Sequence, residues 1–198
     1  MKPLVLLFSG LWLAGCGGCS TDVKPPGDEV MGNYLFHAQG TSKLCSLPDI
    51  ATAFDFSGTL SRNKDGGGVF LTLNGTIHDA GFDGQIALSI NSSATSYGFA
   101  DGGSCMPCDM KVTETLVVAL LSKSQSAALG DKCPDNPLDG GVPSENPDAG
   151  ITRPGSTDSG FDAVRACGEL HENIGGSGFC DPICNSCVLN YRLTGERK

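Results

Sequence analysis

Ten cysteines are spread through 198 residues, and they are the side chains with the clearest chemistry. Cys16 and Cys19 stand near the front; Cys45, Cys105, Cys108, Cys133, Cys167, Cys180, Cys184 and Cys187 lie in the body. An even set of eight in an exported chain reads as four disulfides, with 105 ways of pairing them. Cys133 and Cys167 flank a proline-bearing stretch, and joining them closes a loop of about 35 residues, worth roughly 4 kcal/mol of lost unfolded-chain entropy. Cys105, Cys108, Cys184 and Cys187 would tie the loop before a long apolar strand to the last strand. Cys105-Met106-Pro107-Cys108 and Cys184-Asn185-Ser186-Cys187 are also two C-x-x-C units, a zinc-binding pattern in reducing surroundings. They stand about 75 residues apart, far beyond zinc-ribbon spacing, so disulfides are the expected use of these thiols.

Other chemistry is sparse. His37, His78 and His171 are separated in sequence, and neither H-E-x-x-H nor G-x-S-x-G occurs. Gly66-Gly67-Gly68 has no following Lys-Ser or Lys-Thr, so it is a turn rather than a phosphate cradle. His78-Asp79 falls in an expected turn, as a solvated pair. Asn74-Gly75-Thr76 and Asn91-Ser92-Ser93 match glycosylation sequons but read as polar strand ends. The residues nominate no catalytic group, no metal ligands and no cofactor.

The elements that would carry these residues are mostly strands. Phe54, Phe56 and Leu60 alternate with Asp55, Ser57, Thr59 and Ser61, the period of a half-buried strand. A glycine turn at 63–68 leads to a second strand over Val69 to Ile77, with Val69, Leu71, Leu73 and Ile77 inward. His78 to Gly84 is expected to turn, and Ile86, Leu88 and Ile90 mark a third strand. Consecutive strands with short glycine turns form an antiparallel meander. Lys111 to Leu121 is apolar enough for a strand buried on both faces, in the centre of a sandwich. Ser122 can cap a short helix that Gly130 ends. Residues 134–160 hold five prolines among Gly, Asp and Ser and read as an exposed, poorly ordered loop. Phe161 to Ile174 alternates as a strand, while a helix there is weakened by roughly 1 kcal/mol at Gly168; that strand and Cys187 to Thr194 close the sheet. The expected fold is therefore all-β, an antiparallel meander or β-sandwich held by disulfides, with one short helix.

The front of the chain decides the compartment. Lys2, the apolar run Leu4 to Leu13 and the small residues Ala14 and Gly15 have the layout of an export signal. That run is shorter than the roughly 20 residues a spanning helix requires. Leu13-Ala14-Gly15-Cys16 resembles the lipobox of bacterial lipoproteins. The resemblance implies cleavage before Cys16 and a lipid on its thiol, with the new amine usually acylated as well. Residues 1–15 are then a signal peptide, 16–32 a flexible tether, and 33–198 a single β-rich domain with a Cys-rich C-terminal part. Gly17 follows the lipid-bearing position, where an Asp favours inner-membrane retention in Gram-negative relatives of the pattern, so the outer membrane is the expected address. Two or more acyl chains hold a protein stably on a membrane surface.

Two weaker likenesses complete the survey. Cys-Met-Pro-Cys is similar to a thioredoxin-type redox pair, but that chemistry uses a helix N-terminus, and strand residues follow Cys108. Asp131 to Gly140 resembles pieces of a calcium-binding thrombospondin type 3 repeat. It does so in a single copy, with Asp131, Asp135 and Asp139 four apart, as in any acidic loop.

Loss of Lys2 leaves 12 basic against 22 acidic residues, a net charge of −10. A basic nucleic-acid footprint is absent. The expectation is a lipid-anchored envelope protein with a non-catalytic binding or structural role. Its partners would be the membrane, through the lipid, and an envelope protein or surface ligand. An extracytoplasmic enzyme with a site assembled from distant loops is the alternative.

Overall fold

The computed structural model describes residues 24–44, 52–64, 68–73, 76–97, 108–154, 161–177 and 187–198. Eight antiparallel strands form one closed barrel in chain order: β1 (Glu29–Leu44), β2 (Ala53–Arg62), β3 (Val69–Leu73), β4 (Thr76–Phe82), β5 (Ile86–Tyr97), β6 (Cys108–Ser122), β7 (Ala163–Ser177) and β8 (Cys187–Arg197). β8 closes on β1, from Tyr34 opposite Arg197 to Leu44 opposite Val188. The expected sandwich is therefore corrected to a barrel. Strands of a sandwich and of a barrel show the same alternation, and closure pairs residues some 150 positions apart.

Closure also revises the faces. β6 is not the centre of a sandwich but one stave. Leu116, Val118 and Leu120 fill the interior, while Ala119 and Leu121 face outward and are buried there under other parts of the chain. The second expected strand is two strands, β3 and β4, with Leu73 opposite Thr76. Residues 78–82, expected to turn, belong to β4, and Asp83 instead caps the next turn by accepting from the Gln85 and Ile86 amides at 2.9 and 2.6 Å. Ile77 consequently points outward and is 45 % exposed. On β5, Ala87 and Ser89 are buried, while Leu88 and Ile90 are exposed on the outside.

The two mouths differ. At one, called here the closed end, lie the start of β1, the end of β8 and the connections 63–68, 83–85 and 123–162. Met31, Tyr34, Phe36, Leu120, Phe161 and Ala163 are buried in the core at this end. Phe161 meets Phe82 edge-on at 5.8 Å, and Tyr34 packs on Phe36 at 5.9 Å. Phe36 stacks on Phe56 at 4.9 Å. A Cβ on Gly195 would stand 2.8 Å from the Phe36 ring, so that glycine makes its seat. Gly168 likewise lets β7 lie against β6, where a Cβ would overlap the Val117 carbonyl oxygen.

The long β6–β7 connection folds back on the outer wall. Helix α1 (Lys123–Ala128) starts at the Ser122 N-cap in a capping box with Gln125, the side-chain exchange that satisfies two free amides at a helix start. Gly130, at φ 64°, lies just beyond the helix. Gln125 Nε2 donates to Pro143 O at 2.9 Å, and Ser122 Oγ donates to Thr152 O at 2.5 Å. Cys133 and Cys167 are disulfide-bonded, with Cα atoms 5.5 Å apart. Where an exposed loop was expected over 134–160, its described part, 134–154, contains turns, a single 3₁₀ turn at Pro147–Ala149 and a bridge between Asn146 and Ile151.

Most outward positions on the staves are polar, among them His37, Asp55, Asp79, Glu169, His171 and Arg192. A barrel embedded in lipid shows the opposite arrangement, an apolar outer band around a polar interior. The described outer face is mixed, with exposed Leu35, Ile77, Leu88 and Ile90 among those polar positions. No helix among the described residues is long and apolar enough to cross a membrane.

Candidate functional site

At the opposite mouth the interior changes character. One inward-facing row crosses five neighbouring strands: Asn91 on β5 opposite Glu114 on β6, Glu114 opposite Glu172 on β7, Glu172 opposite Leu189 on β8, and Leu189 opposite Lys43 on β1. The pattern behind it is simple. Glu114 shares a face with Val112, Leu116 and Val118, and Glu172 shares one with Leu170 and Ile174. Strand alternation forces both carboxyls inward.

Two carboxyls directly opposite each other repel when both are charged. Burial, and after it the neighbouring Glu114 carboxyl, push Glu172 up from 4.5 to about 7. Glu172 is only 7 % exposed, and it has no hydrogen bond or ion pair with another described residue. Burial also raises Glu114; Asn91 Nδ2 donates to its Oε2 at 3.5 Å and opposes that shift. Tyr191, the next inward residue along β8, is pushed up to about 12, first by burial and then by the Glu172 charge. Burial lowers the pKa of His78, which shares the β4 face with Ala80 and Phe82.

Beside this row is an open cleft of about 230 Å³, lined by residues 40–43 of β1, Thr52, Leu189 and Tyr191. Tyr191 meets Phe54 edge-on at 5.1 Å, and Phe54 meets Phe56 at 5.9 Å. The cleft therefore has an aromatic side. Deeper in the barrel, the space between Leu60, Leu71, Ala87, Leu116 and Val118 is too small for a water molecule.

The cysteine positions sort by mouth. Cys133 and Cys167 lie toward the closed end. Of the other six, Cys45 follows β1, Cys105 precedes β6, and Cys180 and Cys184 fall between β7 and β8, all outside the described residues. Cys108 opens β6, opposite Tyr97. Cys187 opens β8; it is fully buried, and it is disulfide-bonded. Cys108 and Cys187 thus open strands at the mouth that holds the carboxyl row. Cys16 and Cys19 also lie outside the described residues.

Several other polar groupings lie on the outer surface. His37 Nδ1 meets Asp55 Oδ1 at 2.7 Å, and His171 Nε2 meets Glu169 Oε2 at 2.9 Å. His171 Nδ1 also meets Asn190 Oδ1 at 2.7 Å, and Asn190 Nδ2 donates to Ser42 Oγ at 2.6 Å. Ser42 is met by an amide and not by a base, so it lacks the contact that activates a nucleophile. In the acidic stretch, Asp131 accepts from Ser126 and Asp135 from Arg192. No group of three or more His, Cys, Asp or Glu that could hold a metal occurs among the described residues.

Sequence inspection alone passed over Glu114, Glu172 and Asn91 as site residues. The available signal was a carboxylate at an apolar-parity position on each of two strands. No family model, curated protein or solved structure matches the chain.

Proposed function

We propose that this is a lipid-anchored envelope protein whose barrel binds a ligand or partner at its cysteine-bearing mouth. One observation carries the binding half of this reading: the inward Glu114–Glu172 pair beside an open cleft, at the end of an otherwise packed interior. A protein with a purely structural role gains nothing from two carboxyls set opposite each other in its interior. The anchoring half rests on Leu13-Ala14-Gly15-Cys16 and on a barrel whose outward positions are mostly polar.

The topology gives the anchor a direction. β1 begins at the closed end, so a lipid on Cys16 tethers the barrel by that end. Residues 17–28 reach at most roughly 40 Å when extended. The carboxyl row then opens away from the membrane, toward whatever the protein meets.

The anchor is tested on native protein extracted from membranes. The expected N-terminal peptide begins at Cys16 and carries acyl mass, and Cys16→Ala abolishes both cleavage and membrane retention. An unacylated chain that keeps its leader in the soluble fraction overturns the anchor.

A further inference from the structure

We propose that the Asn91–Glu114–Glu172 row binds a small organic cation with N–H donors, a primary ammonium or a guanidinium, admitted through the cleft walled by Leu189 and Tyr191. This deepens the binding reading above and rests on it.

Glu172 is the starting point. The residue is 7 % exposed and makes no hydrogen bond or ion pair with a described residue. A buried carboxylate left without a partner is costly. It faces a second carboxyl across the β6–β7 ladder, which adds repulsion to burial. Glu114 has one weak donor, Asn91 at 3.5 Å. Among Asn91, Glu114 and Glu172 the acceptors therefore outnumber the donors, and a cation carrying several N–H groups brings both charge and hydrogen bonds to this row.

The surroundings select the kind of cation. Calcium takes six to eight oxygen ligands, whereas this row offers two carboxyls and one amide. The adjoining cleft is lined by residues 40–43 of β1, Thr52, Leu189 and Tyr191, with Phe54 edge-on to Tyr191 at 5.1 Å. Aliphatic and aromatic walls suit the carbon chain of an organic amine, and ring faces attract its charge. The cleft volume of about 230 Å³ lies below the usual range for drug-sized ligands, which points to a compact molecule. Lys43, also in the cleft lining, stands opposite Leu189 in the β1–β8 ladder.

The test is titration calorimetry on full-length protein in detergent at about pH 8, above the Glu172 pKa of about 7, with cadaverine as the probe. The expected result is saturable binding with a dissociation constant of about 1 mM or tighter. Glu172→Gln and Glu114→Gln are each expected to weaken it about tenfold or more, the loss of one charge-assisted hydrogen bond. The uncharged analogue 1,5-pentanediol should not saturate. Glu196→Gln, an acidic surface position 73 % exposed, should leave the affinity unchanged and separates this site from general attraction to an acidic protein. Carboxyl carbon NMR of the wild type provides a readout independent of variant folding, in which cadaverine should shift two buried glutamate signals. Absence of saturation, an unchanged affinity in Glu172→Gln, equal binding of the diol, or unmoved glutamate signals each overturn the proposal. An acylated Cys16 found alongside such a failure would leave the anchor standing while removing the cation.

Discussion

The two halves of one barrel interior solve opposite problems. Toward the closed end, Tyr34, Phe36, Leu120 and Leu193 are wholly buried and packed on one another and on glycines. Toward the cysteine-bearing end the same staves carry Glu114, Glu172 and Asn91 inward. The first half uses burial to hold the barrel together. The second accepts a destabilising layer, and a fold can carry such a layer when the rest of the core exceeds what stability requires. The disulfide frame follows the same division. Cys133–Cys167 fastens the outer strap near the closed end, and Cys187 is bridged at the mouth where the charged layer lies.

Three substitutions sharpen that contrast. Phe36→Ala in the closed half removes a fully buried ring that stacks on Phe56. Denaturant unfolding should show a loss of about 4 kcal/mol. A cost near zero would mean that the closed half is not the stabilising one.

Glu172→Gln in the other half should change the pH dependence of stability. Its folded pKa of about 7 lies above the ordinary 4.5. Between these values the folded chain retains a proton that the unfolded chain has released, so stability falls as pH rises through this window. The fall should total about 3 kcal/mol and level off above pH 7. The charged and polar groups around Glu172 are Glu114 and Asn91 across β6 and β5, Tyr191 on β8 and Lys43 at the rim. Glu114, also raised, contributes a slope of the same sign. Unfolding midpoints from pH 4 to pH 8 should therefore decline less steeply in Glu172→Gln than in the wild type. Equal slopes would remove Glu172 from the charged layer.

Ser122→Ala takes the capping hydroxyl from α1 and its bond to Thr152 O. The expected loss is about 1 kcal/mol, measured by thermal unfolding, with the carboxyl layer unaffected. A larger loss would show that the outer strap contributes to the barrel more than its single helix turn accounts for.

Much of the fold was legible in the alternation of single strands. Phe54, Phe56 and Leu60 were assigned to one face, and they line the interior. Ser122 was assigned as a cap, and it is one. The errors had local causes. Asn74-Gly75, the dipeptide most typical of a two-residue hairpin, was passed over in favour of the glycines at 81 and 84. That merged β3 with the start of β4 and placed Ile77 on the wrong face. Leu88 and Ile90 mark a strand correctly by parity, yet their face is outward, because hydrophobic residues also occur on exposed surfaces. The carboxyl pair could have been found by asking which polar residues break an apolar face. No local rule says that Glu114 and Glu172, 58 positions apart in the sequence, stand opposite each other.

The sequence by itself determined that the chain is strand-rich, that it carries a lipobox-like front and that an even set of cysteines is available for bridging. These follow from local spacing, which each residue carries wherever the chain folds. Only the tertiary structure decided that the sheet closes on itself, that Glu172 faces Glu114 and that Cys108 and Cys187 open strands at their mouth. Register and closure arise from hydrogen bonds between strands far apart in the chain, and alternation along one strand has no knowledge of its neighbour.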